Sequence, residues 1–203
     1  EAITYGTPLG NLQLNAVAST PGDFSYSPAA GVVLGAGMDQ QLSLTFTPHD
    51  TAAFFAVKQS VNIDVLQAVL TVTANDLQMV YGEMLPALTC TVSGFVNGDD
   101  ASSLDIEPTI STTIDQLTNA GLYSGAITLS GGTDNNYGFI LVDGDFLVAK
   151  AILTVKANSQ SKEYGDINPY NTFYYKGWVN GVEEIDVEPV MTTTVDRLTP
   201  AGM

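Results

Sequence analysis

The chain carries one segment twice, and that duplication limits what it can fold into more than any other feature. From Leu70, LTVTANDLQMVYGEMLPALTCTVSGFVNG lies without a gap over LTVKANSQSKEYGDINPYNTFYYKGWVNG from Leu153. Tyr81-Gly82 meets Tyr164-Gly165, Pro86 meets Pro169, Gly94 meets Gly177, and Asn97-Gly98 meets Asn180-Gly181. After a two-residue deletion, DIEPTISTTIDQLTNAG from Asp105 matches DVEPVMTTTVDRLTPAG from Asp186. About half of the paired positions are identical, too many for chance at this length. A repeat of this kind is one supersecondary unit that stacks on its neighbours.

The copies end differently. After Gly121 the first continues through LYSGAITLSGG and NYGFILVDGDFLVAKA, whereas the second stops at Met203, one residue past Gly202. On a strand spacing of about 8–12 residues the second copy lacks two strands, which predicts an unpaired sheet edge. The expectation is a piece of a longer array, with residues 153–203 either less rigid than 70–151 or completed by a neighbouring copy of the chain. EAITYG at the start has neither the basic nor the apolar region of a signal peptide.

Within the first copy the alternation predicts strands over Leu70–Ala74, Leu88–Gly94, Thr109–Thr113, Leu122–Ser130 and Tyr137–Ala149, the last bent around the hairpin-type dipeptide Asp143-Gly144. One short helix is expected over Ala101–Leu104, capped by Asp99 or Asp100. Residues 1–68 alternate at Asn11–Ala18, Asp23–Ser27, Gln41–Phe46 and Ala56–Leu66, with turn clusters at 20–22 and 28–31 between them. Short strands so divided predict a small sandwich. Leu66–Val69 joins it to the first repeat with no flexible linker, so the modules should stack stiffly. The organisation read from the chain is therefore a module at 1–68, a first repeat at 69–151 and a second, incomplete repeat at 152–203.

Composition agrees with a mostly β fold. Only 14% of residues are charged while 45% are apolar, so there is enough apolar side chain to order the chain, and disorder is not expected. Thr, Val, Ile, Tyr and Phe suit pleated strands; Gly, Asn, Asp and Pro suit turns. Six basic residues face 22 acidic ones, for a net charge of −16. Phosphate backbones and anionic headgroups would be repelled, which argues against nucleic acid and membrane-surface partners. No stretch approaches the ~20 apolar residues of a membrane span. Cys90 is the single cysteine and aligns with Phe173, which predicts an inward-facing apolar position rather than a reactive thiol.

The run from an LTV strand through Tyr81-Gly82, Pro86, Ser93-Gly94-Phe95-Val96-Asn97-Gly98 and a Pro108-Thr109 strand, then Ala120-Gly121, Ser130-Gly131-Gly132 and Asn136-Tyr137, resembles the MBG repeat of the YG type. Such repeats recur in large surface and adhesin-like proteins, mostly of bacteria. The segment ITYGTPL through LTFTPHDTAAF resembles the bacterial Ig-like module found beside them. The resemblance implies tandem small β modules: an Ig-like sandwich, then two β-rich, β-grasp-like repeats with one short helix on a sheet. It further implies an extracellular array at the bacterial surface, with adjacent repeats of the same parent chain as neighbours, and it brings no catalytic residues.

The residues themselves offer little chemistry. Ser-His-Asp catalysis needs a histidine, and the only one, His49, sits in a Pro48-His49-Asp50 turn. One histidine and one cysteine do not make a zinc site. Paired carboxylates exist at Asp99-Asp100, Glu183-Glu184, Asp143/Asp145 and Asp115/Asp196, but small repeat units form no deep cleft between them. Fragments of calcium-loop chemistry at 142–145 and 132–136 lack the spaced ligand series, and Asp143-Gly144 reads as a turn. There is no phosphate-cradling glycine loop. Thus no catalytic, cofactor or metal residue is expected. Trp178 aligns with Phe95 and reads as core, while Tyr170, Tyr174 and Tyr175 are the better candidates for stacking on a sugar. Asp50-Thr51-Ala52 resembles an O-glycan acceptor of some bacterial surface proteins. Two classes of function stay open: a stalk or spacer in adhesion, and a module that binds an extracellular glycan or protein on a repeat face.

Overall fold

The computed structural model describes residues 1–179, 181 and 184–202. Their regular structure is almost entirely β. In chain order the strands are β1 (Ile3–Thr4), β2 (Gly22–Ser27), β3 (Gly37–Pro48), β4 (Val57–Leu66), β5 (Ala68–Ala74), β6 (Leu77–Val80) and β7 (Cys90–Ser93). They continue with β8 (Ile106–Thr112), β9 (Gly121–Thr133), β10 (Tyr137–Val142), β11 (Gly144–Ala149), β12 (Thr154–Ala157) and β13 (Phe173–Lys176). Contacts divide the chain into two compact units that do not follow chain order. One comprises Glu1–Asp76, Leu88–Thr113 and Gly125–Asp145; the other Leu77–Ala87, Ile114–Ser124 and Phe146–Met203.

In the first unit, residues 3–66 form a four-stranded sheet in the order β1-β4-β3-β2. β1 runs parallel to β4, with Ile3 opposite Val65, and the other neighbours are antiparallel. Ile3, Leu9, Leu14, Leu42, Ile63 and Val65 form its buried cluster, with Tyr5, Tyr26 and Leu34 packed against it. The strands expected at Asp23–Ser27, Gln41–Phe46 and Ala56–Leu66 fall within β2, β3 and β4. The one expected at Asn11–Ala18 does not form. There the Gly10 carbonyl accepts from both Gln13 and Leu14 N–H at 3.0 and 2.9 Å, closing a tight turn. That turn brings Leu9 and Leu14 to the core and leaves Leu12 in solvent, so the apolar spacing reports a turn's geometry rather than a pleat.

The same unit holds a three-stranded sheet with β5 in its centre, β10 on one side and β7 on the other. β10 runs parallel to β5, from Tyr137 opposite Ala68 to Val142 opposite Thr73. β7 is antiparallel, from Thr71 opposite Ser93 to Ala74 opposite Cys90. Period-two alternation sends Ala68, Leu70, Val72 and Ala74 inward, and all four are buried. β8 pairs antiparallel with residues 127–133 of β9. Asp143-Gly144 breaks the long Tyr137–Ala149 segment as expected, but it is not a hairpin. β10 pairs with β5 and β11 with β6, both in parallel, so the dipeptide carries the chain from one strand partner to another. β6 went unpredicted because it is short and only Met79 in it is buried.

The expected helix is a single exposed 3-10 turn, Ala101–Ser103, that buries no residue. Asp100 caps it: Oδ1 accepts from Ser102 N–H at 2.9 Å, and Ser103 Oγ accepts from Asp100 N–H at 3.2 Å. The turn therefore does not cover a sheet as the helix of a β-grasp-like unit would. Cys90 is likewise exposed rather than inward, because it is the first residue of an outer strand whose covered face begins at Val92.

In the second unit β6 pairs parallel with β11, and Met79, Ile114, Phe146 and Val148 are buried. β12 and β13 pair antiparallel from Thr154 opposite Lys176 to Ala157 opposite Phe173. Under the sequence alignment this is the β5/β7 register, residue for residue. The agreement extends to single bonds. Asn75 donates its N–H to Thr89 O and its amide to Thr89 Oγ1, each at 2.9 Å, and Asn158 does the same to Thr172 at 2.9 Å. Gly82 and Gly165 lie in turns at φ of 89° and 91°. Their N–H groups donate to Gln116 O and Arg197 O, both at 3.2 Å. Beyond this the copies part: Val187–Thr193, which aligns with β8, forms no strand.

Gly94 and Gly177 show why glycine ends these outer strands. Each has φ above 100°, and a Cβ there would run into the carbonyl oxygen of Val69 or Ile152. Replacing Gly94 by alanine should cost about 2–3 kcal/mol in urea melts, because strain and overlap combine. Gly98→Ala, at φ of 82° with open space around it, should cost only about 1 kcal/mol.

Candidate functional site

The most constrained polar cluster joins residues near Glu1 to the first repeat, inside the first unit. β1 pairing and the bond from Tyr5 N–H to Leu66 O at 2.8 Å fix the Tyr5 backbone. Tyr137, the first residue of β10, is set by Asp134, whose Oδ1 accepts from Asn136 and Tyr137 N–H at 2.7 and 3.0 Å. The Tyr137 ring stands edge-on to Tyr5, with centroids 5.4 Å apart, and to Phe95 at 5.6 Å. Both phenols donate to one oxygen, Asp99 Oδ2, at 2.9 Å from Tyr5 and 2.8 Å from Tyr137. Val96 N–H donates back to the Tyr137 hydroxyl at 3.0 Å. Ala68, Leu70 and Tyr137 form the buried cluster beneath, with Phe95, Val96, Leu104 and Phe139 against it.

Further ties hold the same joint. Gly6 lies so close to Val96 that a Cβ there would overlap its side chain. Asn136 Oδ1 accepts from Ala36 N–H at 2.9 Å, and the Gln67 amide donates to Asp134 O at 3.0 Å and Asn135 O at 3.2 Å. Burial pushes the Tyr137 phenol up to about 12, and the Asp99 carboxylate adds to the shift. The hydrogen bond to Asp99 likewise raises Tyr5. Two protonated phenols converging on one carboxylate form a clamp, and neither is poised to give up its proton.

The residues nominated from sequence are dispersed. Asp115 and Asp196 each close a turn in their own repeat, with Oδ1 accepting from Leu117 and Leu198 N–H at 2.9 Å. Hydrogen bonds from Thr199 and Leu198 hold Asp196 below its usual value, as those from Ser102 do for Asp100. Asp143 Oδ1 accepts from Leu129 N–H at 2.9 Å and Asp145 Oδ1 from Gly125 N–H at 2.8 Å. Glu183 lies outside the described residues. His49 is exposed in its turn, 3.5 Å from Asp23. Among the described residues, no three His, Cys, Asp or Glu side chains gather as a metal site needs. No helix there is long and apolar enough to cross a membrane.

Trp178 is half-buried against Tyr175, with ring centroids 5.1 Å apart, and Tyr175 meets Phe173 at 5.4 Å. Tyr170 is 94% exposed and Tyr174 46%, but they share no platform with Tyr175, which is half-buried, its phenol pushed up by burial. Thr51 is exposed in a turn where Asp50 Oδ1 accepts from Ala52 and Ala53 N–H at 3.1 and 3.0 Å. Sequence reasoning missed Tyr5 and Tyr137. The signal was present: Tyr5-Gly6 matches the Tyr-Gly of both repeats, and Tyr137 opens the strand after Asn136. It also missed a cavity of about 430 Å³ on the β2-β3-β4 face, lined by Gln13, Asn15, Tyr26, Leu42, Leu44 and Gln59 among others.

A family model described as MBG domain (YGX type) matches residues 70–147 and 153–203, together more than half of the chain. No curated protein and no solved structure matches it.

Two outcomes test the clamp. Tyr137→Phe leaves the Val96 N–H without its acceptor and should destabilise the fold by about 1–3 kcal/mol in urea melts. A phenol whose folded value lies above its unfolded one, near 10, stabilises fully below that pH and loses the contribution as pH rises through the folded value. Stability should therefore hold up to pH ~10 and fall between there and about 12. Melts at stepped pH should show a shallower fall for Tyr137→Phe.

Proposed function

The chain belongs to the MBG domain (YGX type) family, and from that premise we propose that it is a non-catalytic segment of a bacterial extracellular surface protein, acting as a stalk or spacer in adhesion. Its parts are an Ig-like module at 1–68, a first repeat at 69–151 and a second repeat at 152–203, and its neighbours are further repeats of the same parent chain. The observation that carries this reading is the Tyr5–Asp99–Tyr137 clamp. A spacer transmits position only if its joints are stiff, and here hydrogen bonds, ring contacts and a close glycine approach tie the N-terminal sheet to the first repeat. The local use of Asp100, Asp115 and Asp196 as turn acceptors supports the non-catalytic reading. Exposure of Thr51 suits its role as an O-glycan acceptor, for which intact mass from the native source is the check; the mass of the bare chain would end that idea.

A second reading, glycan binding, is favoured by one observation. In a chain of net charge −16, the cavity of about 430 Å³ is lined without a single charged residue, by amides, hydroxyls and a tyrosine over an apolar floor. Neutral sugars suit such a lining. Titration with neutral oligosaccharides should then shift Tyr26 and Gln59 resonances.

The stalk reading is tested by spin labels at Ser25→Cys and Glu107→Cys in a Cys90→Ser background, all exposed positions. Pulsed dipolar spectroscopy should give one narrow distance distribution, which Tyr5→Ala broadens. A distribution equally broad in both proteins would contradict a stiff joint.

A further inference from the structure

Tyr5-Gly6 and Tyr81-Gly82 sit in one and the same local geometry. β1 ends at Thr4 and β6 at Val80, each directly before its Tyr-Gly. β1 runs parallel to β4 with Thr4 opposite Leu66, and β6 runs parallel to β11 with Val80 opposite Ala149. The tyrosine N–H then donates to the carbonyl of that same partner, Tyr5 to Leu66 at 2.8 Å and Tyr81 to Ala149 at 2.9 Å. A tight turn follows, closed by Thr7 N–H on Thr4 O at 3.0 Å and by Glu83 N–H on Val80 O at 2.9 Å. Its glycine stands at φ of 90° in Gly6 and 89° in Gly82, a third turn position that other residues rarely adopt.

What each turn meets is matched as well. After one further residue the partner strands lead to Ala68 and Ala151, where the chain crosses into the next module. Tyr5 packs on the cluster of Ala68, Leu70 and Tyr137, beside Phe95 and Val96. Tyr81 lines one cavity with Ala151, Leu153, Trp178 and Val179, the counterparts of Ala68, Leu70, Phe95 and Val96. The division into compact units agrees. It runs through the first repeat, so that one unit holds Tyr5 with residues 68–70 and 95–96, and the other holds Tyr81 with 151–153 and 178–179.

We propose that the Tyr-Gly turn is the coupling element between modules: Tyr81 and Gly82 form the docking surface for the second repeat, as Tyr5 and Gly6 do for the first. The partner it fits is a following module that offers an Ala-x-Leu entry segment and an aromatic-Val-Asn-Gly segment. In sequence Val182 stands where Asp99 does, so the turn and the ring, not a carboxylate, are what the two couplings share. The inference extends the stiff-joint reading from one junction to the next and does not depend on adhesion.

The test uses the full chain with spin labels at Met84→Cys and Lys156→Cys in a Cys90→Ser background, both exposed positions. Pulsed dipolar spectroscopy should give one narrow distance distribution, which Tyr81→Ala broadens and Tyr81→Phe, keeping the ring, leaves narrow. Slow amide exchange in β5 should persist in Tyr81→Ala, as a coupling residue rather than a core residue requires. Tyr5→Ala should leave this pair unchanged, so failure here is separable from failure of the first joint. Nuclear Overhauser contacts from the Tyr81 ring to the Trp178 indole and Val179 methyls, in the unsubstituted protein, read the same docking without any variant. A distribution as narrow in Tyr81→Ala as in the unsubstituted protein, one as broad in Tyr81→Phe as in Tyr81→Ala, loss of β5 protection in Tyr81→Ala, or absence of those contacts would each overturn the proposal.

Discussion

Parallel pairing of β5 with β10 is the interaction on which the first repeat depends. It joins segments far apart in sequence, so its loop-closure cost must be met by what the pairing buries. Leu70 and Val72 lose all solvent exposure in the finished sheet, and burial of each contributes about 1.5–3 kcal/mol. The same pairing sets Tyr137 at the head of β10, opposite Ala68, where its ring meets Phe95 and Tyr5 and its hydroxyl reaches Asp99. One strand thus completes a core and closes a joint. Among the described residues the second copy repeats the β5/β7 pairing as β12/β13 with no strand on the other edge of β12, and Leu153 and Val155 are more exposed than Leu70 and Val72.

A chain with 22 acidic and six basic residues has few ion pairs to draw on, and it stabilises its loops in another way. Carboxylates accept backbone N–H groups at turns: Asp50 before the helical-type turn at 51–53, Asp100 at the 3-10 turn, Asp115 and Asp196 after the third segment of each copy, and Asp134 ahead of β10. Each bond satisfies a donor that a loop would otherwise leave to water, and it depends little on a cationic partner. Asp99 is the exception in kind, since it binds two phenols and its position decides how the N-terminal sheet meets the repeat.

Much of this was legible from residues alone. The gapless match from Leu70 and Leu153 foretold a shared strand register, and the structure repeats it down to the Asn75 and Asn158 amide bonds. Strand sites with strict alternation, such as Leu70–Ala74, stood out because one face is fully buried. Asn11–Ala18 misled because a turn can imitate alternation when Gly10 gathers two N–H groups. Cys90 misled because alignment to Phe173 says nothing of where a sheet's cover begins. The clamp was hidden for a different reason. Tyr5, Asp99 and Tyr137 are separated by long stretches of chain, and only the pairing of β1 with β4 and of β10 with β5 brings them together.

Amide hydrogen exchange comparing β5 with β12 tests this account most directly, because the two strands share sequence and one neighbour and differ in the other. The account predicts slow exchange throughout Leu70–Thr73. At the aligned residues 153–156 it predicts protection only for amides bonded to β13, with those on the open edge exchanging orders of magnitude faster. Equal protection along both edges of β12 would mean that its outer edge is already covered, and the dependence of the repeat on the β10 strand would be contradicted.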